Sequence, residues 1–320
     1  MILLIALLHG IPVFLAGAIF KNFFWVIFTA IFMAIIAVAA GNPAYMIADL
    51  ALIALGTYFG FQFCSQNQQS ERDLVWVEPG DFVMGAADRP VSLNRGYYIG
   101  KTPVTWGDWQ IIRSWGAANL YDIGSVGAGC SDNHPVQSVN WFDVLKWCNA
   151  KSELENLTPV YTINGAIYRS GEPEHSSISQ NLSANGYRLP LETEWEFAAR
   201  GGNKTNIYIF AGSNNLNDVG WYENNSVGAP CNLGGNRGTW PVRQKAPNEL
   251  GLYDMSGNVY EWCWDEAEAP WPSWRSYRGG SWGSKPRECT VWARDSYLPN
   301  ARGHLCGFRL ARSKKTVHKK

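Results

Sequence analysis

The chain has 320 residues, with 27 Lys and Arg against 27 Asp and Glu, so its formal net charge is zero. That balance excludes nucleic-acid binding by wholesale phosphate neutralisation, which needs a basic surface. The length admits one large domain or two ordinary ones, but the mean composition hides a sharp division: over residues 1–63 the only formal charges are Lys21 and Asp49, whereas everything after Cys64 is mixed-charge and rich in Gly, Asn, Trp and Tyr.

Three apolar runs fall at residues 2–20, 22–40 and 44–63. Each approaches the roughly 20 residues that cross a bilayer's hydrocarbon core. A cleaved signal peptide would show a basic start, a short apolar stretch and a small-residue cleavage site. Here the basic start is missing and the apolar character persists much further. Residues 1–64 are therefore expected to be an integral membrane segment of two to three transmembrane helices, with 65–73 as a polar linker. The positive-inside tendency puts Lys21 in the cytoplasm, and three spans then put the following domain there as well. Asp49, near the start of the third run, marks a helix contact or snorkels to the interface.

Residues 74–312 read as a soluble domain and 313–320 as a basic tail. Residues 74–77 and 81–84 are short β-type runs around a Pro79-Gly80 turn, which predicts a hairpin. A helix-compatible stretch covers 106–115. The apolar residues Trp141, Val144, Leu145 and Cys148 have helical spacing, with Asn140 as N-cap. A further helix is predicted over 191–200, with Glu192 and Glu194 in its first turn, Arg200 at its end and Gly201-Gly202 as the stop. Glu192, Glu194 and Glu196 read as a solvated helix start rather than an acid/base pair. Beyond Gly202 the segments are short, broken by Gly, Asn and Pro, and anchored by frequent Trp and Tyr. The fold class is α+β with much irregular structure, and no repeat period appears.

The seven cysteines, Cys64, Cys130, Cys148, Cys231, Cys263, Cys289 and Cys306, contain no CxxC pair and no zinc spacing. One or two disulfides remain open. The glycine turns at 234–236 and 279–281 open no helix, so neither is a phosphate loop, and no GxSxG is present.

Four ordered segments resemble the sulfatase-modifying-factor, or formylglycine-generating-enzyme-like, family: residues 76–85 (WVEPGDFVMG), 185–202 (NGYRLPLETEWEFAARGG), 247–262 (PNELGLYDMSGNVYEW), and the pair 278–282 (RGGSW) and 307–310 (GFRL). The resemblance spans nearly all of 74–312 and leaves out the membrane segment. It implies the family's loop-rich variant of the C-type-lectin-like fold. The family includes copper-dependent oxidases that make formylglycine, iron enzymes and non-catalytic binding domains, so membership does not settle function.

The resemblance implies a calcium site, with carboxylates from Asp254 and Glu261 and backbone carbonyls from Gly257 and Val259. The alternative is that Asp254 caps a turn and Glu261 pairs with an arginine. Calcium is the expected cofactor and copper is not. The copper-dependent oxidases carry two cysteines at the positions occupied here by Ser284 and Cys289, and a hydroxyl is a poor Cu(I) donor. Cys289 is then the single catalytic candidate, and a core cysteine otherwise. The iron branch needs a histidine cluster, but His9, His134, His175, His304 and His318 are scattered.

What remains is a binding domain for a protein or small-molecule ligand, presented by its C-terminal third. The contact candidates are Gly283, Ser284, Trp292, Asp295, Ser296, Tyr297, Arg302, Gly303, His304 and Leu305, a mix that suits adaptable recognition. Trp282 and Trp292 are alternatively core. Domains resembling this one also serve as variable proteins of diversity-generating retroelements, whose varied positions would fall among these residues. The other reading is a formylglycine-generating or related oxidase with an altered copper site.

Overall fold

The computed structural model describes residues 73–86, 89–204, 206–267 and 273–314. The apolar runs expected to cross a membrane, residues 65–72 of the linker and 315–320 of the tail lie outside the described residues. Among the described residues, no helix is long and apolar enough to cross a membrane.

Four strands come first: β1 (Leu74–Val77), β2 (Gly80–Met84), β3 (Arg89–Leu93) and β4 (Tyr97–Gly100). Helices α1 (Trp106–Ala118) and α2 (Trp141–Leu154) follow, then the short strands β5 (Tyr161–Ile163), β6 (Ala166–Ile167), β7 (Ile178–Gln180) and β8 (Tyr187–Arg188). Helix α3 (Glu192–Ala199) and the single turn α4 (Leu216–Val219) precede β9 (Tyr260–Glu266), β10 (Arg275–Arg278), β11 (Arg294–Tyr297), β12 (Cys306–Phe308) and β13 (Ala311–Ser313). This is a mixed α/β domain.

The predicted hairpin does not form. Both strands exist, but β1 pairs with β4 and β2 pairs with β3. Pro79-Gly80 carries the chain from one sheet to another, because Val77 is buried against β4, whose Tyr97 and Ile99 are themselves buried. The first sheet runs β1-β4-β13-β8, so the last strand closes against the first part of the domain. The Asp73 carbonyl accepts from Lys101 N–H at 2.8 Å, and β13 runs through Ser313.

The helices follow their sequence signals. Asn140 caps α2 reciprocally: its Oδ1 accepts from Asp143 N–H at 2.8 Å, and the Asp143 carboxylate accepts from Asn140 N–H at 3.0 Å. Helix α1 starts at Trp106, with Thr105 as N-cap, and runs three residues beyond the expected Trp115. Helix α3 ends as predicted, with Gly202 N–H donating back to Phe197 O at 2.9 Å.

Helix α2 is buried almost all round and centres an aromatic core: Trp109 and Trp147 stack with rings parallel to 1°, and Phe308 meets both edge-on. Each fully buried indole removes about 150–250 Å² from water, a gross gain of roughly 4–6 kcal/mol before entropy is charged. A second core gathers Val77, Tyr97, Ile99, Trp195, Phe197, Met255 and Cys263 around α3. The sheet β11-β10-β9-β12 lies between them, giving Trp262 and Phe308 to the first and Cys263 to the second. One disulfide, Cys130–Cys231, ties segments 101 residues apart. Cys148, Cys263, Cys289 and Cys306 are free and buried.

Candidate functional site

Strand β9 reads Tyr-Glu-Trp-Cys-Trp-Asp-Glu, and its period of two gives the central sheet two chemically distinct faces. Trp262 lies opposite Tyr277 and Phe308 on one face, while Glu261 lies opposite Arg278 on the other. The aromatic face packs against α2 through Trp141 and Trp264, 5.1 Å apart. The ionic face meets α3.

That second contact overturns the solvated reading of Glu192, Glu194 and Glu196: all three are buried. Glu192 takes a bidentate bond from Arg294, 2.7 Å on each oxygen. Glu194 is bidentate with Arg188 at 2.6 and 2.7 Å. Glu196 binds Arg278 and Arg200, and also accepts from Gly85 N–H at 2.8 Å. Burying three carboxylates is tolerable only because each is paired and hydrogen-bonded.

The expected calcium ligands are close in sequence and space, but their oxygens are engaged. Arg309 Nε donates to Glu261 Oε2 at 2.9 Å, Nη2 donates to Oε1 at 2.7 Å, and the Trp195 indole N–H donates to Oε2 at 2.6 Å. The same guanidinium, fully buried, also donates to the carbonyls of Gly100 and Tyr253, both at 2.7 Å. Asp254 Oδ2 accepts from Arg243 N–H at 2.9 Å and Oδ1 from Asn258 Nδ2 at 3.3 Å. Burial pushes the Asp254 carboxyl up to about 6, against the lowering pull of the Arg243 N–H and Arg309. A calcium shell of six to eight oxygens would have to displace a bidentate guanidinium, and the carbonyls of Gly257 and Val259 cannot supply the remainder. These residues do not fit a calcium ion in this arrangement. Glu261 is paired with an arginine, as in the alternative, while Asp254 fastens the Arg243 segment and Asn258 rather than capping a turn. Gly257 enforces the turn: φ is 89°, and an added Cβ would lie 2.2 Å from Trp221 O.

At the oxidase positions, Ser284 is buried rather than exposed as expected. Its hydroxyl donates to Tyr260 Oη at 3.1 Å and accepts from Ser281 N–H at 3.1 Å. Cys289 is fully buried beneath Gly280, where an added Cβ would come 2.6 Å from its Sγ. Burial, aided by Glu288, pushes its thiol up to about 12, so it is held as a thiol rather than the thiolate that binds copper. Among the described residues no cluster of three or more His, Cys, Asp or Glu could hold a metal ion.

Most other contact candidates do converge. Trp282 is buried and stacks on the exposed His304, ring centroids 5.7 Å apart. Leu305 lies beside Gly283, and Gly303 beside the Tyr297 ring. Asp295 and Tyr297 are exposed on β11, an outer strand of its sheet, with Ser296 partly covered between them. Tyr260 and Tyr277, which sequence reasoning missed, lie beneath this surface, rings 4.2 Å apart and near perpendicular. The alternation in β9 was the signal that could have revealed Tyr260. Two candidates stand apart. Trp292 packs on the second core with the Arg200 guanidinium over its ring. Arg302 is bound to Asp143 at 2.8 and 2.9 Å and to Glu172 at 2.8 Å.

The domain is of mixed α/β class, its central sheet carrying buried arginine–glutamate pairs on one face and aromatic rings on the other. The profile of the Sulfatase-modifying factor enzyme 1-like domain matches residues 61–314, and the chain belongs to this family. It is 35% identical over 290 residues to "Chaperone protein LppX" of Paenibacillus barcinonensis, covering 83% of this chain and 99% of that protein. It is 36% identical over 132 residues to the bovine (Bos taurus) "Inactive C-alpha-formylglycine-generating enzyme 2", a match spanning 39% of this chain and 44% of that protein. The structure also resembles Treponema denticola variable protein 1, with TM-score 0.60 and 30% identity over 75% of this chain and 95% of the other.

Proposed function

We propose that the chain is a non-oxidase member of its family, anchored to a membrane through residues 1–64, that binds a polypeptide ligand on the surface built by Asp295, Tyr297 and residues 303–305. The observation that carries this reading is Ser284: where the oxidases need a second thiolate, this chain has a buried hydroxyl satisfied by Tyr260 and Ser281. A single thiol, Cys289, across the two positions argues against a linear two-sulfur Cu(I) site. Two likenesses support a binding role. One is to a protein named a chaperone, across nearly its whole length; the other is to a variable protein.

The Cys130–Cys231 disulfide bears on where this happens. Stable disulfides belong to oxidising compartments, which favours an extracytoplasmic domain and reverses the cytoplasmic placement drawn from Lys21 alone. One lysine is a weak topological signal against a bridge between distant segments.

The test is an anaerobic Cu(I) titration of the full-length protein, followed by incubation with a cysteine-containing sulfatase peptide and mass spectrometry. Neither stoichiometric copper nor a change in peptide mass is expected. Stoichiometric Cu(I) with oxidation of the peptide cysteine would replace this reading by the altered-site oxidase, with Cys289 the first residue to mutate.

A further inference from the structure

We infer that the corner formed by Asp295, Tyr297 and the tyrosines beneath them receives a cationic side chain, lysine or arginine, of the ligand; this rests on the binding reading above. Three aromatic rings define the corner. Tyr277 and Tyr260 meet at 4.2 Å and 84°, and Tyr297 stands at 87° to Tyr277 with centroids 6.2 Å apart. Tyr297 is 37% exposed, so its ring is available to an incoming group. Asp295 lies directly across from Tyr277 in the β10–β11 register, which places a carboxylate beside these rings. Near-perpendicular rings with one carboxylate form the surroundings that hold an ammonium or guanidinium by cation–π attraction and charge pairing.

The charge balance points the same way. The charges that act most strongly on the corner's own groups are carboxylates: Asp295 on Tyr260, Tyr277 and Cys306, and Glu288 on Tyr260. Glu288 is paired with Arg287 at 3.7 Å, but the two arginines flanking the segment do not offset Asp295. Arg294 is held by both oxygens of Glu192, and Arg302 by Asp143 and Glu172. Among the described residues Asp295 makes no ion pair; its carboxylate is hydrogen-bonded to the Tyr277 hydroxyl and accepts from Ser296 N–H at 2.8 Å. The corner therefore presents uncompensated negative charge among aromatic rings, and an acidic or purely aliphatic group gains nothing from it that water does not offer.

The experiment is selection of a phage-displayed random heptapeptide library on the full-length protein in nanodiscs, run in parallel on Asp295→Asn and Tyr297→Ala. Both positions are exposed, so the variants keep the fold, checked by circular dichroism. Lysine- and arginine-containing peptides are expected to enrich on the native protein. Asp295→Asn should weaken the best of them about tenfold, as should Tyr297→Ala, consistent with the size of a partly desolvated cation–π or charge contact. Peptides without a cation that bind in a Tyr297-dependent way would overturn this inference and leave the binding reading standing. Cationic peptides that bind equally to Asp295→Asn would overturn it too. No selective binder on any of the three proteins would remove both.

Discussion

Replacing Arg309 by Met tests whether the buried Glu261 is held by a guanidinium or by a metal ion. Arg309 is fully buried and donates twice to Glu261 and once each to the carbonyls of Gly100 and Tyr253. Methionine fills much of the volume but leaves a buried carboxylate with only the Trp195 indole as donor. Removing one partner of such a pair costs about 3–5 kcal/mol, mostly the charge left stranded. For a domain of this size that lowers Tm by about 6–20 °C. The double variant Glu261→Gln, Arg309→Met should recover part of the loss, because the stranded charge is gone. The assay is thermal unfolding by circular dichroism on all four members of the cycle, each with EDTA and with 1 mM calcium chloride. Calcium should move the native Tm by less than about 1 °C, because binding stabilises only a fold that offers a site. A rise of several degrees with calcium, or an Arg309→Met variant as stable as the native protein, would refute this account of Glu261.

Two further outcomes follow from the same structure. Asp254 carries a raised pKa of about 6 against 3.8, so the folded state holds its proton more tightly than the unfolded chain. The stability this contributes is present below about pH 4 and is lost as pH rises through about 6. Asp254→Asn keeps the acceptor for Arg243 N–H, so relative to the native protein it should gain roughly 2–3 kcal/mol between pH 4 and pH 7 in urea unfolding; an equal pH dependence in both would contradict the raised pKa. Reducing the Cys130–Cys231 bridge, or replacing Cys130 by Ser, releases a loop of about 100 residues and should cost up to about 4–5 kcal/mol. In intact cells these two cysteines should resist a thiol-reactive reagent until a reductant is added; free thiols there would return the domain to the cytoplasmic side.

Features governed by near neighbours were legible in the sequence. The Asn140–Asp143 capping box spans three residues, and the Gly201-Gly202 stop lies directly after its helix. Features governed by distant partners were not. Asp81-Phe82-Val83-Met84 looks like the return strand of a hairpin, but its partner is β3 and that of β1 is β4. The glutamates of α3 look like a solvated helix start because the arginines that bury two of them lie 82 and 102 residues away. Cys130 and Cys231 give no local sign of pairing across 101 residues. The family segments carried the fold, since glycines and aromatics at fixed spacing mark turns and core anchors, but a residue-by-residue carry-over of ligands could not see that Arg309 would reach Glu261.

The contact surface owes its shape to bonds that do not read its side chains. From Arg294, clamped to Glu192, to Gly303, just past Arg302, the chain is held through its main chain: β11 pairs antiparallel with β10 over residues 294–297, and carbonyls beyond it accept from the start of α2. Trp141 N–H donates to Pro299 O at 3.0 Å, Ser138 N–H to Gly303 O at 3.1 Å, and Asn140 Nδ2 to Asn300 O at 3.3 Å. The donors sit on the turn that starts α2 and are themselves fixed by the capping box and the aromatic core. The exposed side chains of Asp295, Tyr297 and His304 can thus change without unfastening the backbone that presents them. Arg294 and Arg302 cannot, because losing either takes the bidentate partner from a buried carboxylate, Glu192 or Asp143. The ionic and aromatic faces of one sheet thus hold the frame through buried pairs and stacked rings, while the segment carrying Asp295 and Tyr297 projects outward from it.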